Sequence, residues 1–128
     1  MDKDLAYGGI AGSVSVVPLL AGDAPIITEE AIIASGQNLA KYTVVAKVTA
    51  TGKVVVYTPG ASDGSQTPIG ILTQAVDATS ADMRAAIYTS GFFNDDILVW
   101  PVNAACDTLI ERKALFAGKD IRLGTVRL

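Results

Sequence analysis

Tyr42-Thr43-Val44-Val45-Ala46-Lys47-Val48-Thr49, then Ala50-Thr51-Gly52, then Lys53-Val54-Val55-Val56-Tyr57-Thr58 is the stretch that decides the fold. Both flanks are rich in β-branched residues, whose stiff side chains suit a pleated surface better than a helix. The three residues between them contain a glycine and are short enough to reverse one strand onto the next, so the segment predicts a β-hairpin.

Downstream of the hairpin the punctuation continues. Pro59, Gly60, Asp63, Gly64 and Pro68 mark a surface loop, after which Ile69-Gly70-Ile71-Leu72 returns to the core, with Gly70 admitting a close backbone or a bulge. From Asp82 to Ser90, Met83, Ala85, Ile87 and Thr89 alternate with Arg84, Ala86, Tyr88 and Ser90. That period of two predicts a half-buried strand over 82–90, stopping before Gly91, with a helix as the alternative because of the alanines. Phe92-Phe93-Asn94-Asp95-Asp96-Ile97-Leu98-Val99-Trp100-Pro101 follows and holds the only tryptophan. It is the strongest candidate for a packing anchor. One helix is expected: Asp107 or Thr108 caps it, Glu111 stands in a capping-box position after Thr108, Leu109, Ile110, Leu115 and Phe116 supply apolar contacts, and Gly118 stops it. The tail from Ile121 to Leu128 reads as a last strand.

Upstream, Ile26-Ile27-Thr28 and Ala31-Ile32-Ile33-Ala34 form one strand kept solvated by Glu29 and Glu30, and Ser35-Gly36-Gln37-Asn38 turns the chain. Before them, Leu5 to Gly22 carries no charge. Asp2 and Asp4 flank Lys3 where a signal peptide wants positive charge, and glycines, serines and Pro18 dilute the run below what a spanning helix needs. The stretch reads instead as a flexible lead, Tyr7-Gly8-Gly9-Ile10-Ala11-Gly12, followed by β-prone Ser13-Val14-Ser15-Val16-Val17. Such a segment suits adding a strand to another chain; it equally suits a first strand of the protein's own sheet. The expected organisation is an extended N-terminal arm over 1–24 and a β-rich α+β domain over 25–128, mostly β, with short strands and one short C-terminal helix.

Composition limits the chemistry. The chain has 128 residues, one domain's worth. Half of them are hydrophobic and only 18% charged, which leaves apolar surface for partners. Ten basic against 13 acidic residues give a net charge of −3 with the cations scattered, an arrangement that argues against nucleic-acid and anionic-membrane partners. Histidine is absent, which removes the commonest general base and transition-metal ligand. The single cysteine, Cys106, can form neither an internal disulfide nor a multi-thiolate metal site, and reads as a small buried apolar residue.

The apparent motifs fail on context. Gly60-Ala61-Ser62-Asp63-Gly64 matches the G-x-S-x-G spacing of a nucleophile elbow, but no helix pattern follows and no histidine exists to serve the serine. Asp95 and Asp96 are adjacent, so on a strand they point apart and cannot share a metal; a solvated turn or a polar interface contact suits them better. Gly8-Gly9-Ile10-Ala11-Gly12 has no preceding strand and no following phosphate-gripping lysine. No catalytic, cofactor, metal or small-molecule site is expected, and the chain reads as a structural binding module. Two rival classes are a surface-adhesion or carbohydrate-binding module, also small, β-rich and acidic, and a minimal hydrolase acting through carboxylates. The latter requires two acids facing one cleft.

The succession of Ala34 to Val45, Asp63-Gly64-Ser65-Gln66-Thr67-Pro68-Ile69-Gly70-Ile71-Leu72, Ser90-Gly91-Phe92, Asp96-Ile97-Leu98-Val99-Trp100-Pro101 and a helix ending Leu115-Phe116-Ala117-Gly118 resembles the lambda-like head decoration proteins of tailed bacteriophages. The resemblance covers roughly 26–123. It implies a small, mostly β fold assembled as a homotrimer on the outer surface of the expanded capsid, with the major capsid protein as partner. It also implies an N-terminal arm that meets the capsid by strand addition. Leu5, Tyr7, Ile10, Val14, Val16 and Val17 are then the candidate arm contacts, and Phe92, Phe93, Trp100 and Pro101 the candidate trimer contacts, with ordinary burial inside one subunit as the alternative for the aromatics.

Overall fold

A computed structural model describes residues 25–125. Its strands are β1 (Ile27–Ile33), β2 (Gln37–Leu39), β3 (Val44–Lys47), β4 (Val54–Val56), β5 (Pro68–Leu72), β6 (Val76–Ala78), β7 (Met83–Asn94) and β8 (Ile121–Gly124), with one α-helix, α1 (Leu109–Leu115). The order β1-β4-β3-β5-β7, closed by pairing of β1 with β7, makes a five-strand barrel. β8 extends it by running parallel to the end of β7, and β2 and β6 form a separate two-stranded sheet.

The predicted hairpin is present: β3 and β4 are antiparallel, with Val45 opposite Val56 and Lys47 opposite Val54. β3 is buried at three successive positions, Val44, Val45 and Ala46, where an open sheet would alternate. The reason is that both of its faces are covered. Val45 packs inside the barrel with Ile33, Val54, Leu72 and Ile87, while Val44 and Ala46 point outward into a second core with Tyr57, Ile71, Phe93, Cys106 and Phe116. α1 and β8 close that second core.

Gly70 meets both expectations placed on it. Its neighbours Val45 and Ala46 pair with Gly70 and Pro68, so Ile69 is the extra residue of a bulge, and a Cβ on Gly70 would lie 2.7 Å from the carbonyl oxygen of Tyr88.

Three local expectations need correction. β7 does not stop before Gly91 but continues to Asn94, because Gly91, at φ +149°, lets the strand bend where a Cβ would strike the Phe93 ring at 2.7 Å. Before the bend β7 pairs with β1, and from Gly91 onward with β8. The turn at 35–38 is confined to Ser35 and Gly36; Gln37 and Asn38 begin β2, whose three-residue partner β6 is too short to leave a sequence signal. Ile110, grouped with the helix's core side, is 80% exposed, since Leu109, Leu115 and Phe116 already fill the inner face. The capping box itself is complete: Thr108 Oγ1 accepts from the Glu111 amide and Glu111 accepts from the Thr108 amide at 3.0 Å.

Gly70→Ala should lower the unfolding free energy by about 1–3 kcal/mol, the range for overpacking a filled site. Chemical denaturation checks this, and an unchanged midpoint would show that β5 and β7 leave room for a methyl group at this position.

Candidate functional site

The aromatic segment leaves β7 through a 3₁₀ turn, Asp95–Ile97, capped by Asn94, whose side chain accepts from the Asp96 amide. The turn aims Asp95 inward. Its carboxylate accepts from Arg112 Nη1 at 2.8 Å and from Trp100 Nε1 at 2.9 Å, and the residue is only 5% exposed. Arg112 reaches over from α1, donates through Nε to the Cys106 carbonyl at 2.8 Å, and lies 5.3 Å from the centre of the Trp100 ring. Trp100 in turn meets Tyr57 and Phe116 edge-on, each with ring centroids 5.9 Å apart. One carboxylate therefore ties the end of β7, the Trp-Pro segment and the helix together.

This geometry corrects the solvated reading of Asp95. Asp96 is exposed as expected, but Asp95 is buried, and a buried carboxylate persists only with charged and hydrogen-bonding partners. Arg112 is the functional residue that sequence reading missed. Its position between Leu109 and Leu115 on the inner helix face was the available signal.

The four residues assigned to a subunit boundary divide. Phe93 is fully buried against Tyr88, at 5.3 Å between ring centroids, and presents no surface. Phe92, Trp100 and Pro101 are half-buried and keep some. Apolar exposure nearby in sequence is larger than expected: Val99 is 42% exposed and Val102 fully so. Val102 follows Pro101 directly, on the exposed stretch between Trp100 and the return of the chain to the core at Cys106.

Residues read as chemically inert occupy inert settings. Cys106 is buried, its Sγ lies 3.2 Å from the Pro101 carbonyl oxygen, and burial pushes its thiol pKa up, away from the reactive thiolate. Ser62 sits in an exposed loop followed by β5, with no helix behind it. Its neighbour Asp63 instead closes a local turn, accepting from the hydroxyl and amide of Ser65, which hold its carboxyl below the usual range. Among the described residues no cluster of three or more acidic or cysteine side chains is placed to hold a metal ion. No helix among them is long and apolar enough to cross a membrane.

The arm candidates Leu5, Tyr7, Ile10, Val14, Val16 and Val17 lie outside the described residues. The chain joins the domain at Pro25, whose carbonyl accepts from Ser90 Oγ at 2.8 Å.

Comparison with known proteins agrees with this arrangement. The family model of bacteriophage lambda head decoration protein D matches residues 15–122, and the chain belongs to that family. The family is structural and non-enzymatic, and a decoration protein implies binding to a phage capsid at its surface. No curated protein matches the chain.

Asp95→Ala should destabilise the fold by about 3 kcal/mol, because it strands a largely buried guanidinium. The double substitution Asp95→Leu with Arg112→Met should recover much of that loss. Denaturant melts followed by Trp100 fluorescence would show it; equal loss in both variants would mean the pair itself is not what binds the helix.

Proposed function

We propose that this protein binds the outer surface of the expanded capsid as a homotrimer and stabilises the shell through contacts with the major capsid protein. Membership of the decoration family over residues 15–122 carries this reading. The physical pattern supports it: a five-strand barrel is backed by a second core, and a segment uncharged from Leu5 to Gly22 precedes it.

Stabilisation follows from mass action. A ligand that binds the expanded shell and not its disrupted form raises the free energy needed to disrupt it. Trimers repeated over a lattice add many modest contacts through avidity. Phe92, Trp100 and Pro101, with the exposed Val99 and Val102 flanking the Trp-Pro pair in sequence, form the proposed subunit boundary. Phe93 supports that surface from within. Residues 1–20 form the proposed capsid-binding arm, with Leu5, Tyr7, Ile10, Val14, Val16 and Val17 making its apolar contacts. A β-prone segment, uncharged from Leu5 onward, is suited to bind by adding a strand, so that main-chain hydrogen bonds supply affinity and alternate side chains supply fit.

Deleting residues 1–20 should abolish co-sedimentation with decoration-free expanded capsids while leaving the barrel folded by circular dichroism. Undiminished binding by the folded, shortened protein would overturn the assignment of the arm.

A further inference from the structure

β1 is closed on one side and open on the other. Along its whole length, Ile27 to Ile33, it pairs with β7. On its other side only Ile33 pairs, with Val54, next to the bond from the Ala34 amide to the Val54 carbonyl at 2.9 Å. Among the described residues no strand covers Ile27 to Ile32 on that side. The barrel's seam between β1 and β4 is therefore closed only at its Ile33 end, beside a cleft of about 560 Å³. Ala31, Val54, Ile69 and Ile87 give it an apolar lining, and Glu29 and Lys47 stand at its rim. Glu29 is held there by Thr89, whose hydroxyl donates to its carboxylate at 3.0 Å.

An open strand edge beside an apolar cleft is a template for one more strand, and native proteins cover such edges. We propose that Ser13-Val14-Ser15-Val16-Val17 of the same chain occupies this cleft as an antiparallel strand on β1 when the protein is off the capsid. Three observations favour this occupant. The 24 residues preceding the described part lead directly into Pro25, two residues before the open edge begins, so the segment is tethered beside its site. Ten residues, 18 to 27, including Pro18, Gly22 and Pro25, are available to reverse the chain, and so short a connection gives an effective concentration on the order of millimolar. The alternation also matches: Ala31 and Ile33 face the barrel interior, so pairing Val14 with Ala31 and Val16 with Glu29 turns both valines inward and leaves Ser13 and Ser15 outside.

The inference rests on the proposed capsid arm only for its consequence. The strand that covers β1 in the free protein is the one the capsid takes, so binding exchanges one strand pairing for another and keeps an apolar segment from pairing with the wrong chain beforehand. The test uses no capsid, so its outcome is separate from that of the arm deletion.

In the proposed register Ser15 lies opposite Glu30 on the outer face, and native Cys106 is buried and out of reach. The full chain carrying Ser15→Cys and Glu30→Cys should form an intramolecular disulfide about tenfold faster than a control pairing Ser15→Cys with Ser62→Cys in the exposed loop. Hydrogen exchange on the unsubstituted chain should also show residues 14–16 protected, and the outward amides of 27–32 losing protection when residues 1–20 are removed. A disulfide forming no faster than the control, one forming only between chains, or exchange in 27–32 unaffected by the deletion would each overturn the proposal.

Discussion

The buried carboxylate of Asp95 is the contact on which the second core depends. The barrel is closed by main-chain pairing and would hold its own interior of Ile33, Val45, Val54, Leu72 and Ile87. Nothing in that pairing positions α1, a seven-residue helix too short to stand alone in water. The helix is fixed by its capping box at one end and by Arg112, which reaches Asp95 at the foot of β7 while donating to the Cys106 carbonyl. Trp100 shares the same carboxylate, so the Trp-Pro segment is held in the same place. A buried ion pair is weak support when compared with apolar replacements, but it specifies one arrangement, since either partner alone would be stranded.

That contact also explains why β7 is so long. The strand must serve the barrel through Ile87 and then carry its end across to β8 and the helix, and the bend at Gly91 lets it do both. With β3 and β5 buried on both faces, Val44 and Val45, or Ile71 and Leu72, belong to different cores although they are neighbours. Continuous apolar runs in this chain therefore report two-sided burial.

The same features decide what was legible beforehand. The hairpin, the single capped helix, the role of Gly70 and the burial of Cys106 follow from local chemistry, and each is where its residues indicate. What was not legible depended on distant partners. Asp95 looks solvated until Arg112, 17 residues away, is brought against it. β6 has three residues and Asp77 at its centre, so only its pairing with β2 makes it a strand. Phe92 and Phe93 look alike in sequence, yet strand alternation sends Phe93 wholly into the core and leaves Phe92 part of the surface. The family was legible because it rests on the succession of turns and anchors, whereas contacts with partners depend on surfaces that one chain alone does not define.

The chain belongs to a structural, non-enzymatic family, its one thiol is buried, and Asp63 and Asp77 are engaged in local turns. The most direct test of that account is electron cryomicroscopy of expanded phage capsids with and without the protein. Added protein should appear as three barrels around each local three-fold on the outer surface, each sending its N-terminal segment into a capsid sheet. Capsids whose outer surface is unchanged by the protein, or barrels bound singly with the N-terminal segment pointing away from the shell, would contradict it.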